Sequence, residues 1–437
     1  MTGASTHKIR RLLVANRSEI AIRVFRAATE LGIETVAIYA EEDKLSLHRF
    51  KADEAYQVGR GRSGEIALGP LECYLSIDEV IRVARDARVD AIHPGYGFLS
   101  ESPEFAEACA ENNIIFIGPS STTMRTLGNK VSARDLAVSV GVPVMPASPP
   151  LSGDPQTILK TAEQIGYPVM LKASWGGGGR GMRPIESSDT LIDSVASARR
   201  EAKSAFGNDE VYLEKLVQRA RHVEVQILGD RHGNLVHLFE RDCSIQRRNQ
   251  KIVERAPAPY LDQATRTAMA EAALSIGRAT QYVGAGTVEF LLDVDTGKFY
   301  FIEVNPRIQV EHTVTEVVTG LDIVQAQIRI AEGGRIGKLN ETGIPQQAEI
   351  ALNGHAMQCR VTTENPENNF IPDYGRITAY RGAMGFGIRV DGGTAYSGAV
   401  VTRFYDPLLE KITAWAATPE EVIKRMSRAL REYRVRG

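Results

Sequence analysis

The sequence predicts a chain of mixed α/β and α+β character: a doubly wound parallel sheet first, then a small glycine-loop unit, then antiparallel hairpins. Three observations carry this reading. Strands and helices alternate through the first third. Four glycines follow an apolar run in KASWGGGGRGM, Lys172 to Met182. From Arg221 onward, longer alternating strands meet at turn residues. At 437 residues there is room for two or three cores.

The elements follow in order. RLLVAN reads as a buried strand, and SEIAIRVFRAATELG as an amphipathic helix with Ser18 as N-cap and Gly32 as its stop. ETVAIYA and VDAIHPG are further strands, followed by a helix from Pro103 to Asn112 and the strand NIIFIGPS. The turn after the first strand is ANRSE, not G-x-G-x-x-G, so it gives poor support to a nucleotide there. HPGYGFLSE, His93 to Glu101, ends a strand: it is either a ligand edge or a Pro/Gly turn, and both readings stay open.

A helix over Thr122 to Gly141 carries Lys130, and ASPPLSGDP leads from it into a separate unit. That unit runs from about Val144 to Val217: a helix, YPVMLKAS, the glycine run, a helix near Ser188 to Ser204, and VYLEKLV. Glycines permit φ > 0 and close backbone approach, so this run can line phosphates and move as a lid. Beyond it, RHVEVQILGD and GNLVHLFERDCSIQRRNQKIVE read as a hairpin turning at Asp-Arg-His-Gly. A helix from Gln263 to Tyr282 leads to a second hairpin, GTVEFLLD with KFYFIEVNPRIQVEHT, joined by Val-Asp-Thr-Gly. The expected domains are 1–120, a linking helical segment 121–143, the lid 144–217, and 218–437.

A net charge of −2 gives no global field that recruits nucleic acid or an anionic membrane. Cys73, Cys109, Cys243 and Cys359 are scattered, which favours a reducing compartment over a disulfide framework or structural zinc. MTGASTHKIRR lacks an apolar signal core, and no stretch reaches the length of a membrane span. The expected location is cytoplasmic, and a mature organellar protein would look the same.

FIEVNPRIQVE carries the most chemistry. A two-residue period puts Glu303, Asn305, Arg307, Gln309 and Glu311 on one face if extension persists, with Ile302, Val304, Ile308 and Val310 facing a core. Glu289 lies on the partner strand between Val288 and Phe290. Such a face is costly to desolvate without partners. It is either solvated or internally paired through Arg307, or else Glu289, Glu303 and Asn305 are hard oxygen ligands for Mg²⁺. Arg307 then grips a planar anion. Arg241, Arg247, Arg248, Lys251 and Arg255 crowd the first hairpin beside Gln246 and Asn249. Aromatic interleaving is missing, so a small polyanionic substrate explains these cations better than nucleic acid does. Glu214-Lys215-Leu216 offers backbone groups for an adenine edge.

KASWGGGGRGM, YLEKLV, RHVEVQILGD, ERDCSIQRRNQK, GAGTVEF and FIEVNPRIQVEHTVTE, in that order, resemble the biotin carboxylases of the ATP-grasp superfamily. The resemblance runs from RLLVANRSEIAIR to the last helix. HRFKADEAYQVG, NFIPDYGRITAYR and the NQK of the basic hairpin look most like the biotin carboxylase portion of pyruvate carboxylases, with an acyl-CoA carboxylase subunit as the alternative. The resemblance implies an ATP-grasp fold: a Rossmann-like N-terminal domain, a mobile glycine-loop lid and an antiparallel C-terminal domain. The implied reaction takes MgATP (or MnATP) and bicarbonate to carboxyphosphate, then carboxylates the ureido nitrogen of carrier-bound biotin.

By motif, Lys130 and Lys172 contact ATP phosphates, and Gly177 with Gly178 close over them. Glu214, Lys215 and Leu216 border adenine; His222 and Gln246 lie near the nucleotide. Glu289 and Glu303 bind metal beside Asn305. Lys251, Arg307, Gln309 and Val310 match the bicarbonate site, Glu311 the general base, and Arg360 the residue that stabilises the biotin enolate. The implied partners are a biotin carboxyl carrier, a carboxyltransferase domain or subunit, and a second copy of this domain. The helix bearing Arg23, Arg26 and Glu30 matches a dimer-contact region, or those charges form a solvated helix face.

Two departures stand out. The chain ends at Gly437, where family members continue, and no biotinyl-lysine motif is present; a cut domain or separate partner chains would each account for this. Asn249 stands where stand-alone enzymes share a histidine, so a ribose contact there does not carry over. A carbamoyl-phosphate synthetase half is a rival within the superfamily, disfavoured by Arg360 and the RIQVEH run. A catalytically silent nucleotide-binding module is disfavoured because no catalytic position is lost.

Overall fold

A computed structural model describes residues 8–60, 64–174 and 182–437. Its N-terminal sheet is parallel throughout, in the order Glu54–Gln57, Glu34–Tyr39, Arg11–Val14, Ala91–His93, Ile115–Phe116. Continuous apolar strands with helices between them bury both sheet faces. Leu12 and Val14 pack on one side and Leu13 on the other, all fully buried. The first core also takes in Leu228, Ala285 and Ile308, which fixes the N-terminal sheet against the later antiparallel one.

The first helix, Ser18–Glu30, differs from expectation at its start. Arg17 is the N-cap and makes no side-chain cap bond. Ser18 adopts φ 57° and its hydroxyl lies 3.0 Å from that of Thr394. The stop is as expected: Gly32 has φ 74°, and the N–H of Ile33 closes on the Ala28 carbonyl at 2.9 Å. Arg23 on this helix is buried and bonds Glu316 and Asp322, so it is not part of a solvated helix face; Arg26 and Glu30 are exposed.

The expected helix over Thr122 to Gly141 is two helices, Ser121–Gly128 and Lys130–Ser139. Asn129 breaks them apart: its side chain accepts from Val131 and Ser132 at 3.0 Å, capping the second helix. Lys130 is therefore the first residue of a helix. Val169–Ala173 lies between Arg183–Ile185 and Val211–Lys215 in a three-stranded antiparallel sheet. Leu171, Leu191, Val195 and Leu213 give this unit its own core. Residues 175–181, most of the glycine run, lie outside the described residues.

The large sheet has eight strands, in the order Phe299–Asn305, Gly284–Asp293, Ala220–Gly229, Leu235–Arg247, Gln250–Ala256, His355–Thr362, Leu408–Ala416, Ile388–Gly392. The basic run folds once more than expected, because Arg248 and Asn249 both take positive φ (51° and 63°) in a two-residue hairpin turn. That turn brings Lys251 opposite Gln246. Among the described residues, no helix is long and apolar enough to cross a membrane.

Candidate active site

Cross-strand register builds a row of three carboxylates. Glu289 pairs with Glu303 on one side and with Glu224 on the other. Glu224 and Glu289 are buried, and buried carboxylates need partners to stay ionised. Lys251 supplies most of the compensation: its Nζ donates to Glu289 at 2.8 Å, to Glu311 at 2.9 Å, and to Glu224. Arg241 lies wholly buried below, donating from Nε to Glu224 at 2.6 Å and from its other nitrogens to Gln226, Thr315 and Thr287.

Past Asn305 the strand ends, so the expected two-residue period does not continue. The Arg307 N–H closes on the Asn305 carbonyl at 2.8 Å, and a helix begins at His312. The turn nevertheless gathers Arg307, Gln309 and Val310 along one cleft with Glu303 and Asn305. Ile302 and Val310, expected in the core, are half-buried and line the cleft; Val304 and Ile308 are buried. Arg307 donates to Glu101, Asn305 and Gln309.

Glu311 is fully buried at the start of that helix. One carboxylate oxygen meets Lys251, and the other takes a bond from Arg360 Nη2 at 3.1 Å. Burial alone pushes this carboxyl up. Lys251, Arg360 and Arg241 outweigh that effect and hold it well below the usual carboxylate range. Arg360 is itself oriented by Glu254, through Nε at 2.6 Å. Cys243 Sγ lies 3.8 Å from Glu311, and burial pushes its thiol far up, so it stays protonated.

The cleft has a volume of about 970 Å³. At its far end, Lys172 bonds Glu214, and Lys130 lies 3.8 Å from Glu303. Met145, Met170, Met182, Tyr212 and Phe301 line the same cleft as Glu214, Lys215 and Leu216, with Met170 opposite Glu214 in the sheet. The N–H groups of Lys215 and Leu216 already donate to the Pro146 and Pro168 carbonyls, so a backbone edge offered to a ligand falls to carbonyl groups. The Lys215 ammonium is held by the Gly166 and Tyr167 carbonyls. His222 Nε2 lies 2.8 Å from Glu289; burial lowers its pKa, but Glu289 outweighs that and raises it. Gln246 lines the cleft with its amide on the Cys243 carbonyl. Gly177 and Gly178 lie outside the described residues.

The basic hairpin needs a correction. Arg241, Arg247 and Arg255 are absorbed by Glu224, Glu364 and Asp242, and Arg248 by Asn369. Of the five cations only Arg247 and Lys251 line the cleft, so most of this charge balances protein carboxylates instead of awaiting a substrate. HPGYGFLSE is both things at once. Gly95, Gly97 and Phe98 take positive φ in a turn, while Tyr96, Gly97 and Phe98 line the cleft.

Residues of this network that the sequence reading passed over are Glu224 and Glu254, while Arg241, Cys243 and Glu101 were named there without this role. Glu224 carried a usable signal, because it sits between Val223 and Val225 just as Glu289 sits between Val288 and Phe290. Glu303 bears on metal binding: burial, then the Glu289 charge, pushes its carboxyl up. Asn305 lies alongside, its amide 2.9 Å from Glu289. An under-compensated carboxylate at Glu303, beside the ionised Glu289 and an amide oxygen, forms a donor set that suits a hard divalent cation.

The parallel sheet, the small three-stranded unit and the charged cleft beside the eight-stranded sheet have the layout of an ATP-grasp fold. Residues 8–124 match the family model "Biotin carboxylase, N-terminal domain", 129–339 the "Carbamoyl-phosphate synthase L chain, ATP binding domain", and 358–437 the "Biotin carboxylase C-terminal domain". The chain is 51% identical over 437 residues to pyruvate carboxylase of Bacillus subtilis, covering 99% of this chain and 37% of that one. Among solved structures, it is 71% identical to Rhizobium etli pyruvate carboxylase with the allosteric activator acetyl coenzyme-A, at a TM-score of 0.93 over 99% of this chain and 38% of that chain. It is 43% identical, at a TM-score of 0.91, to the biotin carboxylase domain dimer of Hydrogenobacter thermophilus 2-oxoglutarate carboxylase, solved with MgADP, ADP and bicarbonate, covering 99% and 92% of the two chains. The chain belongs to the biotin carboxylase family. It spans well under half the length of the pyruvate carboxylases it matches.

Proposed function

We propose that this chain carboxylates the ureido nitrogen of carrier-bound biotin with bicarbonate at the expense of ATP, as the first half-reaction of a pyruvate carboxylase. The observation that carries this reading is the buried carboxylate of Glu311, shared between Lys251 and Arg360 in one cleft with Lys130 and Lys172.

In the first stage a bicarbonate oxygen attacks the terminal phosphoryl group of ATP, giving carboxyphosphate and ADP. Phosphoryl transfer needs positioning and charge neutralisation more than covalent help. Lys130 and Lys172 bind the phosphates, leaving their resting partners Glu303 and Glu214, and exclusion of water there protects the labile intermediate. Glu289, Glu303 and Asn305 hold Mg²⁺, which when bound neutralises phosphate charge. Lys251, Arg307, Gln309 and the backbone at Val310 orient bicarbonate; Glu214, Lys215, Leu216, His222 and Gln246 border the nucleoside.

In the second stage the ureido nitrogen takes the carboxyl group from carboxyphosphate: the new N–C bond replaces the bond from the carboxyl carbon to the phosphate oxygen, and inorganic phosphate leaves. The ureido N–H is a very weak acid, so the base needs help. Arg360 supports the enolate oxygen of biotin, and Glu311 accepts the proton. Glu311 is held low at rest by Lys251, Arg360 and Arg241, and substrates engage the first two. As Lys251 turns to bicarbonate and Arg360 to biotin, the carboxylate loses much of its compensation and becomes more basic.

Identity of about half to pyruvate carboxylases supports pyruvate as the final acceptor, with carrier and carboxyltransferase supplied elsewhere. A homodimer of this domain fits the dimeric H. thermophilus relative. The test is ATP cleavage with bicarbonate and free biotin. Carboxybiotin formation supports the reading, and ADP release indifferent to both co-substrates overturns it.

A further inference from the structure

The sheet sets two cations side by side beneath the turn that carries Gln309, Val310 and Glu311. Arg360 and Lys411 are direct register partners on neighbouring antiparallel strands. Like charges in that relation destabilise a sheet unless each finds its own anion. Arg360 is divided between Glu254 and Glu311. Lys411 is fully buried, with Glu19 Oε2 3.1 Å away, yet its hydrogen bond goes elsewhere. Nζ donates to the Val310 carbonyl at 2.8 Å, while the Glu19 oxygens lack a hydrogen-bond partner among the described residues.

The next rung that faces the same side of the sheet, one pair beyond Cys359 and Ile412, also reaches the turn and helix. Gln358 pairs with Thr413, and both meet the Thr313 hydroxyl, at 2.6 and 2.8 Å. Two same-face rungs therefore hold the head of the His312–Thr319 helix, one through Thr313 and the other through Val310 and Glu311. His312 Nδ1 meets the Gln309 carbonyl at 2.7 Å. Both carbonyls of the turn are thus engaged below it. Across a planar trans peptide the N–H points opposite to the carbonyl, so holding the Val310 oxygen sets the direction of the Glu311 N–H. That N–H has no acceptor among the described residues.

We propose that Lys411 is a positioning residue for the anion end of the cleft. By fixing the Val310 carbonyl it presents Val310, the Glu311 N–H and the Glu311 carboxylate in one arrangement toward bicarbonate. Glu19 balances its charge from the first helix, tying the N-terminal sheet to this turn. The inference rests on the bicarbonate reading above.

The experiment uses the full chain and measures bicarbonate-dependent ATP cleavage with thermal unfolding. Lys411→Met should raise the KM for bicarbonate about tenfold or more, the scale of a lost charged hydrogen bond, with the KM for MgATP within about twofold. The Glu19→Gln/Lys411→Met double variant leaves the buried pair uncharged. It should recover thermal stability yet keep the raised bicarbonate KM. An unchanged bicarbonate KM, an equal rise for MgATP, or a double variant that recovers KM with stability would each overturn the proposal. Should Lys411→Met alone not fold, the double variant decides by the same criterion. A wild-type chain without bicarbonate-dependent cleavage would instead sink the functional reading.

Discussion

The ammonium of Lys251 lies 2.9 Å from a carboxylate oxygen of Glu311, joining positions 60 residues apart in the chain. The same ammonium also serves Glu224 and Glu289, so it faces one expected metal donor, Glu289, and the expected base together. Lys251→Gln should cut bicarbonate-dependent ATP cleavage about a hundredfold or more, the scale of losing a preorganised donor to developing negative charge. Unchanged cleavage would remove Lys251 from the phosphoryl step.

Glu311→Gln should abolish carboxybiotin formation by about a hundredfold or more while nucleotide still binds, as measured by equilibrium binding of a labelled nucleotide. Loss of nucleotide binding instead would contradict the assignment as base.

The same carboxylate sets an acid limb for stability. Its folded pKa is depressed, because Lys251, Arg360 and Arg241 outweigh the opposing effect of burial. Its stabilisation is therefore present above the unfolded value of about 4.3 and is lost as pH falls toward the folded value. At neutral pH, Glu311→Gln should cost about 3 kcal/mol, the scale of a broken buried ion pair. The gap to wild type should narrow as pH drops below about 4. Urea titrations at stepped pH check this, and a gap that stays constant into acid would contradict it.

Glu254 holds Arg360 by its Nε at 2.6 Å, so its effect should fall on the biotin step. Glu254→Gln should lower carboxybiotin formation about tenfold and spare biotin-independent ATP cleavage, since only an orienting charged hydrogen bond is weakened. Equal loss of both activities would mean a general structural role.

Glu303 should govern metal dependence. Glu303→Gln should shift half-saturation by Mg²⁺ upward roughly tenfold or more in an ATP-cleavage titration, consistent with the effect of altering a metal site's donors. An unmoved titration curve would take Glu303 out of the metal site.

Much of this was legible from residues alone. The parallel sheet, the lid strands and both expected hairpins follow from period and turn chemistry, and Glu289 was visible as a carboxylate set among apolar neighbours. What local pattern could not give is long-range pairing. Alternation through FIEVNPRIQVE fails at Pro306, and a turn gathers Arg307 and Gln309 where a strand was expected. The cations near Lys251 looked like a substrate cradle because their carboxylates, Glu224, Glu364 and Asp242, are brought in by register and fold. Lys411 sits in an ordinary apolar strand, LLEKITAWA, and nothing local tells that its ammonium ends on the Val310 carbonyl.

The most direct test of the central claim supplies labelled bicarbonate with MgATP and free biotin to the full chain and follows label into carboxybiotin. Label should appear in carboxybiotin only when ATP and bicarbonate are both present, and should vanish in Glu311→Gln. ATP cleavage that proceeds without bicarbonate and transfers no label to biotin would contradict the account.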